Sequence, residues 1–268
     1  VGGDRRGREG TVKVVALISW WEESPAWLAA TVSSAAKLCD HVVAVDGAYA
    51  LMPGGTARSE PTQAEVVLRT CDALGMGCTI VRPKDIWHGN EVEKRTFCFA
   101  ECRNVVTPGE DWIIVLDGDD VLTHVPDDTR MRLELTEMDV AEVLLWDRET
   151  WIKEETAAAA QALELPPHSV QKQRRIFRAA EQIDVVGAHF CYRARTGDEV
   201  SWYWGTDDHG LAPALRLHEV RIEHRTKHRD LWRKQQAQDY YERRNALKIE
   251  TVGVRLMKDE RGEVVRVA

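Results

Sequence analysis

The chain has 268 residues, with 36 Lys and Arg against 44 Asp and Glu for a formal charge of −8. At about 100 to 200 residues per domain this is one large domain or two small ones, and 44% hydrophobic with 30% charged residues excludes a disordered, collagenous or fibrous chain. No run approaches the roughly 18 apolar residues of a membrane span and no secretory h-region opens the sequence, so a soluble, cytoplasmic protein without a membrane span is expected. Six cysteines lack any C-x-x-C spacing, which disfavours a disulfide scaffold or a zinc site and leaves reduced, mostly buried thiols. The acidic balance disfavours gripping nucleic acid by charge alone.

Residues 1–10 (VGGDRRGREG) are rich in Gly and Arg without apolar periodicity and read as a disordered tail. Val12 to Ser19 follows as a buried strand, and Ser24 with Pro25 opens a helix that runs to Leu38. His41 to Asp46 is a second strand, Pro61 to Leu74 a second helix stopped by Gly75, Cys78 to Arg82 a third strand and Glu91 to Val106 a third helix. Trp112 to Asp117 (WIIVLD) is the most apolar strand. This alternation predicts right-handed crossovers and a largely parallel sheet covered on both faces, with ligands at the carboxyl ends of the strands.

After Asp120 the rhythm breaks. A strand is expected over Val140 to Trp146, then an Ala-rich surface segment from Glu154 to Leu165. Short strands follow at Arg175 to Arg178, Ile183 to Val186, His189 to Arg193 and His218 to His224, and a long polar helix spans His228 to Ile249. The expected division is one domain over 11–225, with a nucleotide-binding half (11–120) and an acceptor half (121–225), followed by a C-terminal helix and tail over 226–268.

Asp117-Gly118-Asp119-Asp120 brings three carboxylates to the open end of the apolar strand. Asp117 and Asp119 are two apart and face the same way on extended chain. Paired hard oxygen donors repel unless a cation lies between them, and Mg²⁺ or Mn²⁺ held by carboxylates and substrate phosphates meets that need. Gly118 leaves room for a ligand.

With VVALISWWEES at the first strand, VVAVDG at the second and IIVLDGDD at the fourth, the chain resembles the family 2 glycosyltransferases and their relatives of the GT-A fold, well over Lys13 to Asp120 and loosely beyond. The resemblance implies an α/β nucleotide-diphospho-sugar transferase fold, with a mostly parallel central sheet flanked by helices and a C-terminal mixed region with a closing helix. It implies that Ser19, Trp20, Trp21 and Glu22 hold the nucleobase, with Trp21-Glu22 standing where the family has Asn-Glu. Asp46 would bind the uracil or ribose, and Asp117 and Asp119 the ribose and the divalent cation. In some relatives a late histidine completes the metal shell, and His224 is the match here.

Two further readings come from the residues themselves. Val92, Arg95, Phe99, Cys102 and Val106 fall on one helical stripe, so Arg95 lies in line with an apolar face and needs an anion, either a buried carboxylate such as Asp46 or Asp117 or a donor diphosphate. Lys94 and His88 are neighbouring candidates for the donor. In the stretch Ser201 to His209, Trp202 and Trp204 offer stacking faces for a sugar, and Asp207 or Asp208 a general base for the acceptor hydroxyl.

The function expected is metal-dependent transfer of a sugar from a nucleotide-diphosphate donor, a UDP-sugar by preference, to a hydroxyl of a glycan, a protein or a modified DNA base. One rival is a haloacid-dehalogenase-type phosphatase with Asp117 as nucleophile and Asp119 as acid/base, although that family opens its fold with this strand. The other is a non-catalytic nucleotide-sugar binder.

Overall fold

The computed structural model describes residues 12–87, 91–147, 171–186, 191–204, 211–225, 235–243, 255–258 and 264–267. The expected tail and the Ala-rich segment lie outside them. In chain order the elements are β1 (Val14–Ser19), α1 (Pro25–Ala35), β2 (His41–Val45), α2 (Pro61–Ala73), β3 (Gly77–Val81), α3 (Glu91–Cys102), β4 (Trp112–Asp117), β5 (Asp120–His124), α4 (Thr129–Leu135), β6 (Val140–Asp147), β7 (Gln171–Arg178), β8 (Gln182–Val186), β9 (Cys191–Thr196), β10 (Glu199–Trp204), β11 (Ala214–His224), β12 (Arg255–Lys258) and β13 (Val264–Val267). A helix also covers 235–243.

Eight strands form the central sheet in the order β3-β2-β1-β4-β7-β6-β11-β5. β3, β2, β1 and β4 are parallel neighbours, β6 pairs parallel with β11, and only β7 and β5 run against the rest. The chain is thus an α/β protein with a large, mostly parallel sheet flanked by helices, in agreement with the nucleotide-diphospho-sugar transferase-like arrangement expected. β8, β9 and β10 make a separate antiparallel sheet, and β12 pairs with β13.

Because strand side chains alternate faces, β1 serves two cores. Val14, Ala16 and Ile18 pack with α1, α2 and α4 through Leu28, Val32, Val67 and Leu133. Val15 and Leu17 pack on the other side with Cys98, Phe99 and Cys102 of α3 and with Ile183, Tyr192 and Tyr203 of the small sheet. A strand buried on both faces reads as an unbroken apolar run, which is why VVALIS and WIIVLD stand out in the sequence. Pro25 and Pro61 start α1 and α2, where the missing N–H costs nothing. Gly75 ends α2 at φ 66°, with Met76 N–H returning to the Cys71 carbonyl, a left-handed cap that favours glycine.

Beyond Asp117 the structure adds what periodicity could not. β5 and the seven-residue α4 are too short to show a period, and β10 carries Trp202 and Trp204 on a strand that was not expected. Tyr203 of β10 is buried, stacked on Phe177 at 5.8 Å between centroids. Of the long helix expected over His228 to Ile249, 235–243 is helical and the remainder lies outside the described residues, while β12 and β13 form a hairpin where a tail was expected. Among the described residues, no helix is long and apolar enough to cross a membrane. Phe177 is fully buried among Phe99, Tyr192 and Tyr203 and joins the two sheets. Phe177→Ala should therefore cost about 3 to 5 kcal/mol in urea unfolding; a loss under about 1 kcal/mol would show that this core collapses without penalty.

Candidate functional site

The chain turns sharply after β4. Asp117 ends that strand opposite Ser19 of β1, and only Gly118 and Asp119 separate it from β5. β5 pairs with β11 so that Asp120 stands across from His224. Asp120, fully buried, accepts the Asp117 N–H at 2.8 Å through Oδ2 and meets His224 Nδ1 at 2.7 Å through Oδ1. Three separate strand ends are thereby gathered, and one potential ligand atom each from Asp117, Asp120 and His224 lies within 4.8 Å of the others.

Two arginines close on this group from the neighbouring elements. Arg95 of α3 places Nη2 3.3 Å from Asp117 Oδ1 and Nε 3.4 Å from Glu91 Oε2. Arg175 of β7 places Nη1 3.5 Å from Asp117 Oδ2 and 3.6 Å from Asp120 Oδ2. Burial alone would push the His224 ring towards neutrality. The hydrogen bond and charge of Asp120, with the charges of Asp119 and Asp117, override it and raise its pKa from 6.5 to about 9. Asp117, Asp119, Asp120 and Glu91 thus share Arg95, Arg175 and protonated His224 as their counter-charges.

Asp119 stands outside the three-ligand group. It is 1% exposed, and its carbonyl accepts the Arg225 N–H at 3.1 Å. Gly118 makes room for protein rather than ligand, since a Cβ there would lie 2.9 Å from Trp20 Cβ and 3.0 Å from Glu23 Cγ. Ser19 and Arg95 line a small crevice with Phe99 and Tyr192 beside the acids.

The remaining residues of the expected base site are tied to one another. Asp46 is fully buried; its Oδ1 accepts from Gly47 N at 2.7 Å and Ser59 Oγ at 2.5 Å, and its Oδ2 from Ser59 N at 2.9 Å and Arg82 Nε at 3.2 Å. Gly47, at φ 103°, admits no side chain, because a Cβ would meet the Ala57 carbonyl at 2.5 Å. Trp21 Nε1 donates to Thr56 Oγ1, and Glu22, at φ 48°, receives the Glu60 N–H and the Gln63 amide. Trp20 donates its N–H to the Val45 carbonyl. Lys94 is buried beneath both loops and donates to the Trp20 and Gly47 carbonyls at 2.8 and 2.7 Å, with burial lowering its pKa to about 8. Tyr49 of the second loop stacks on Tyr240 of the helix over 235–243, at 5.5 Å between centroids.

In the second half, Trp202 is half-buried on β10 and its carbonyl accepts the Ala212 N–H. Trp204 ends the same strand. Asp207, Asp208 and His88, as well as the Trp204 side chain, lie outside the described residues. Sequence reasoning missed Arg175 and gave Asp120 no ligand role. A signal for Arg175 existed: it alternates with buried Phe177 on β7, so the logic that singled out Arg95 on a helix applies at a period of two.

No protein-family model and no curated protein matches this sequence. Among solved structures, the chain is similar to 4-diphosphocytidyl-2C-methyl-D-erythritol synthase from Anaerococcus prevotii DSM 20548, at 11% identity over 63% of this chain and 73% of that one with a TM-score of 0.34. It is also similar to a mycobacterial protein at 15% identity, over 96% of this chain and 83% of that one, with a TM-score of 0.43.

The raised pKa of His224 has a definite sign. The His224–Asp120 pair contributes stability that is fully present below about pH 6.5 and is lost as pH rises through about 9. In metal-free protein, an NMR titration of the His224 ring should give a midpoint near 9. A midpoint at or below 6.5 would mean that Asp120 does not hold the charged ring.

Proposed function

We propose that the protein is a metal-dependent glycosyltransferase that moves a sugar from a nucleotide-diphosphate donor, by preference a UDP-sugar, to an acceptor hydroxyl. The observation that carries this reading is the convergence of Asp117, Asp120 and His224, flanked by Arg95 and Arg175, at the carboxyl end of β4. That is where open α/β sheets bind their ligands. Two hard carboxylate oxygens suit Mn²⁺ or Mg²⁺, and the imidazole nitrogen favours Mn²⁺ of the two. Asp119 adds charge beside them.

An ion held there would neutralise charge growing on the diphosphate leaving group. Arg95 aims its guanidinium fork at the same region and would hydrogen-bond the diphosphate oxygens. Ser19, Trp20, Trp21 and Glu22 would frame the nucleobase with Asp46, on loops that Asp46 and Lys94 hold in register. Trp202 and Trp204 would present stacking faces to the acceptor, and Asp207 or Asp208 would take its hydroxyl proton. The acceptor is a glycan, a protein or a modified DNA base. The phosphatase alternative needs β4 to open the fold, whereas three strands and three helices precede it.

A thermal-shift panel of UDP-, GDP-, ADP- and dTDP-sugars with and without Mn²⁺ tests the reading, because a ligand that binds the native state raises the melting temperature by mass action. A UDP-sugar should stabilise the wild type only with Mn²⁺, and Asp117→Asn should lose that response while keeping its circular dichroism spectrum. Hydrolysis of simple phosphomonoesters that disappears in Asp117→Asn would instead establish the phosphatase.

A further inference from the structure

The acid group carries its own counter-ions, and one of them occupies the oxygens a metal would need. Arg175 faces Asp117 Oδ2 and Asp120 Oδ2 at 3.5 and 3.6 Å, longer than the roughly 2.7 to 2.9 Å of a tight charge-assisted hydrogen bond. Its Nε is anchored elsewhere, on Gln173 Oε1 at 2.8 Å. Its Nη1 end therefore meets the acids by charge more than by fixed geometry. Arg95 differs: it faces the other oxygen of Asp117 and is shared with Glu91, and it makes no ion pair with Asp120.

We infer that Arg175 is a place-holding cation that couples metal binding to diphosphate binding at the proposed donor site. The inference rests on the transferase reading above. A divalent ion entering among Asp117, Asp120 and His224 needs the carboxylate oxygens that Arg175 faces, and two cations on those oxygens repel. Arg175 would then leave the acids while its Nε contact with Gln173 kept it at their edge, where it could hydrogen-bond a donor diphosphate. Each ligand must then raise the affinity for the other by the same factor.

The test uses the full chain and two probes, Mn²⁺ alone, followed by the electron paramagnetic resonance of the free ion, and pyrophosphate titrated into Mn²⁺-saturated protein, followed by calorimetry. Arg175→Met removes the competing charge and should bind Mn²⁺ about tenfold or more tightly than the wild type. The same variant, saturated with Mn²⁺, should bind pyrophosphate about tenfold or more weakly. Arg175→Lys keeps the charge and should hold Mn²⁺ affinity near that of the wild type. If Arg175→Met does not fold, Arg175→Gln carries the same two expectations. A folded neutral variant with unchanged or weaker Mn²⁺ binding overturns the inference and makes Arg175 scaffold; unchanged pyrophosphate binding overturns it as well. A wild type that binds neither probe brings down the transferase reading itself, whereas a wild type that binds both leaves that reading standing whatever Arg175 does.

Discussion

A single carboxylate without exposed surface, that of Asp120, organises the carboxyl end of the sheet. Taking such a charge out of water costs several kcal/mol unless partners surround it. Here the partners come from three strands: the Asp117 N–H of β4, His224 of β11 and Arg175 of β7. Satisfying Asp120 therefore fixes where β4 stops, how β5 turns back and where β11 ends. The positions of Asp117 and His224 follow from that constraint, and so does the group they form with Asp120, which could hold a metal ion.

A second buried acid does the same work on the far side of β1. Asp46 gathers Gly47, Ser59 and Arg82, and Trp87 Nε1 donates to its carbonyl at 2.8 Å. With Lys94 beneath, donating to the Trp20 and Gly47 carbonyls, the loops after β1 and β2 are tied to each other. The polar groups that the resemblance assigns to the nucleobase thus spend much of their hydrogen-bonding capacity on one another. In the proposed transferase such a frame gives a preformed base site, since groups locked by neighbouring hydrogen bonds need no ordering when a ligand arrives.

How much of this was legible in the sequence depends on length and burial. β1 and β4 are buried on both faces and announce themselves as apolar runs, and α1 and α2 carry Pro at their first positions, so the first four strands and the starts of the first three helices were readable, whereas α1 and α3 stop at Ala35 and Cys102, short of the expected Leu38 and Val106. Arg95 was legible because a charge on an apolar stripe demands an anion, and Asp117 supplies it. Arg175 obeys the same rule but sits on a strand of mixed character, QKQRRIFR, where polar residues hide the alternation. The ligand role of Asp120 was illegible for a different reason. Local spacing pairs Asp117 with Asp119, whereas pairing of β5 with β11, about a hundred residues later in the chain, decides which acid faces His224. Long-range register is not written in any local pattern.

In the proposed transferase, Asp117, Asp120 and His224 together hold a divalent cation. Pulsed electron paramagnetic resonance of Mn²⁺ bound to the full chain reads this directly, because an imidazole nitrogen on the ion modulates the electron spin echo. The account predicts a nitrogen modulation in the wild type that vanishes in His224→Asn while the folded protein remains. Bound Mn²⁺ with no nitrogen modulation, or with one that survives in His224→Asn, would contradict it.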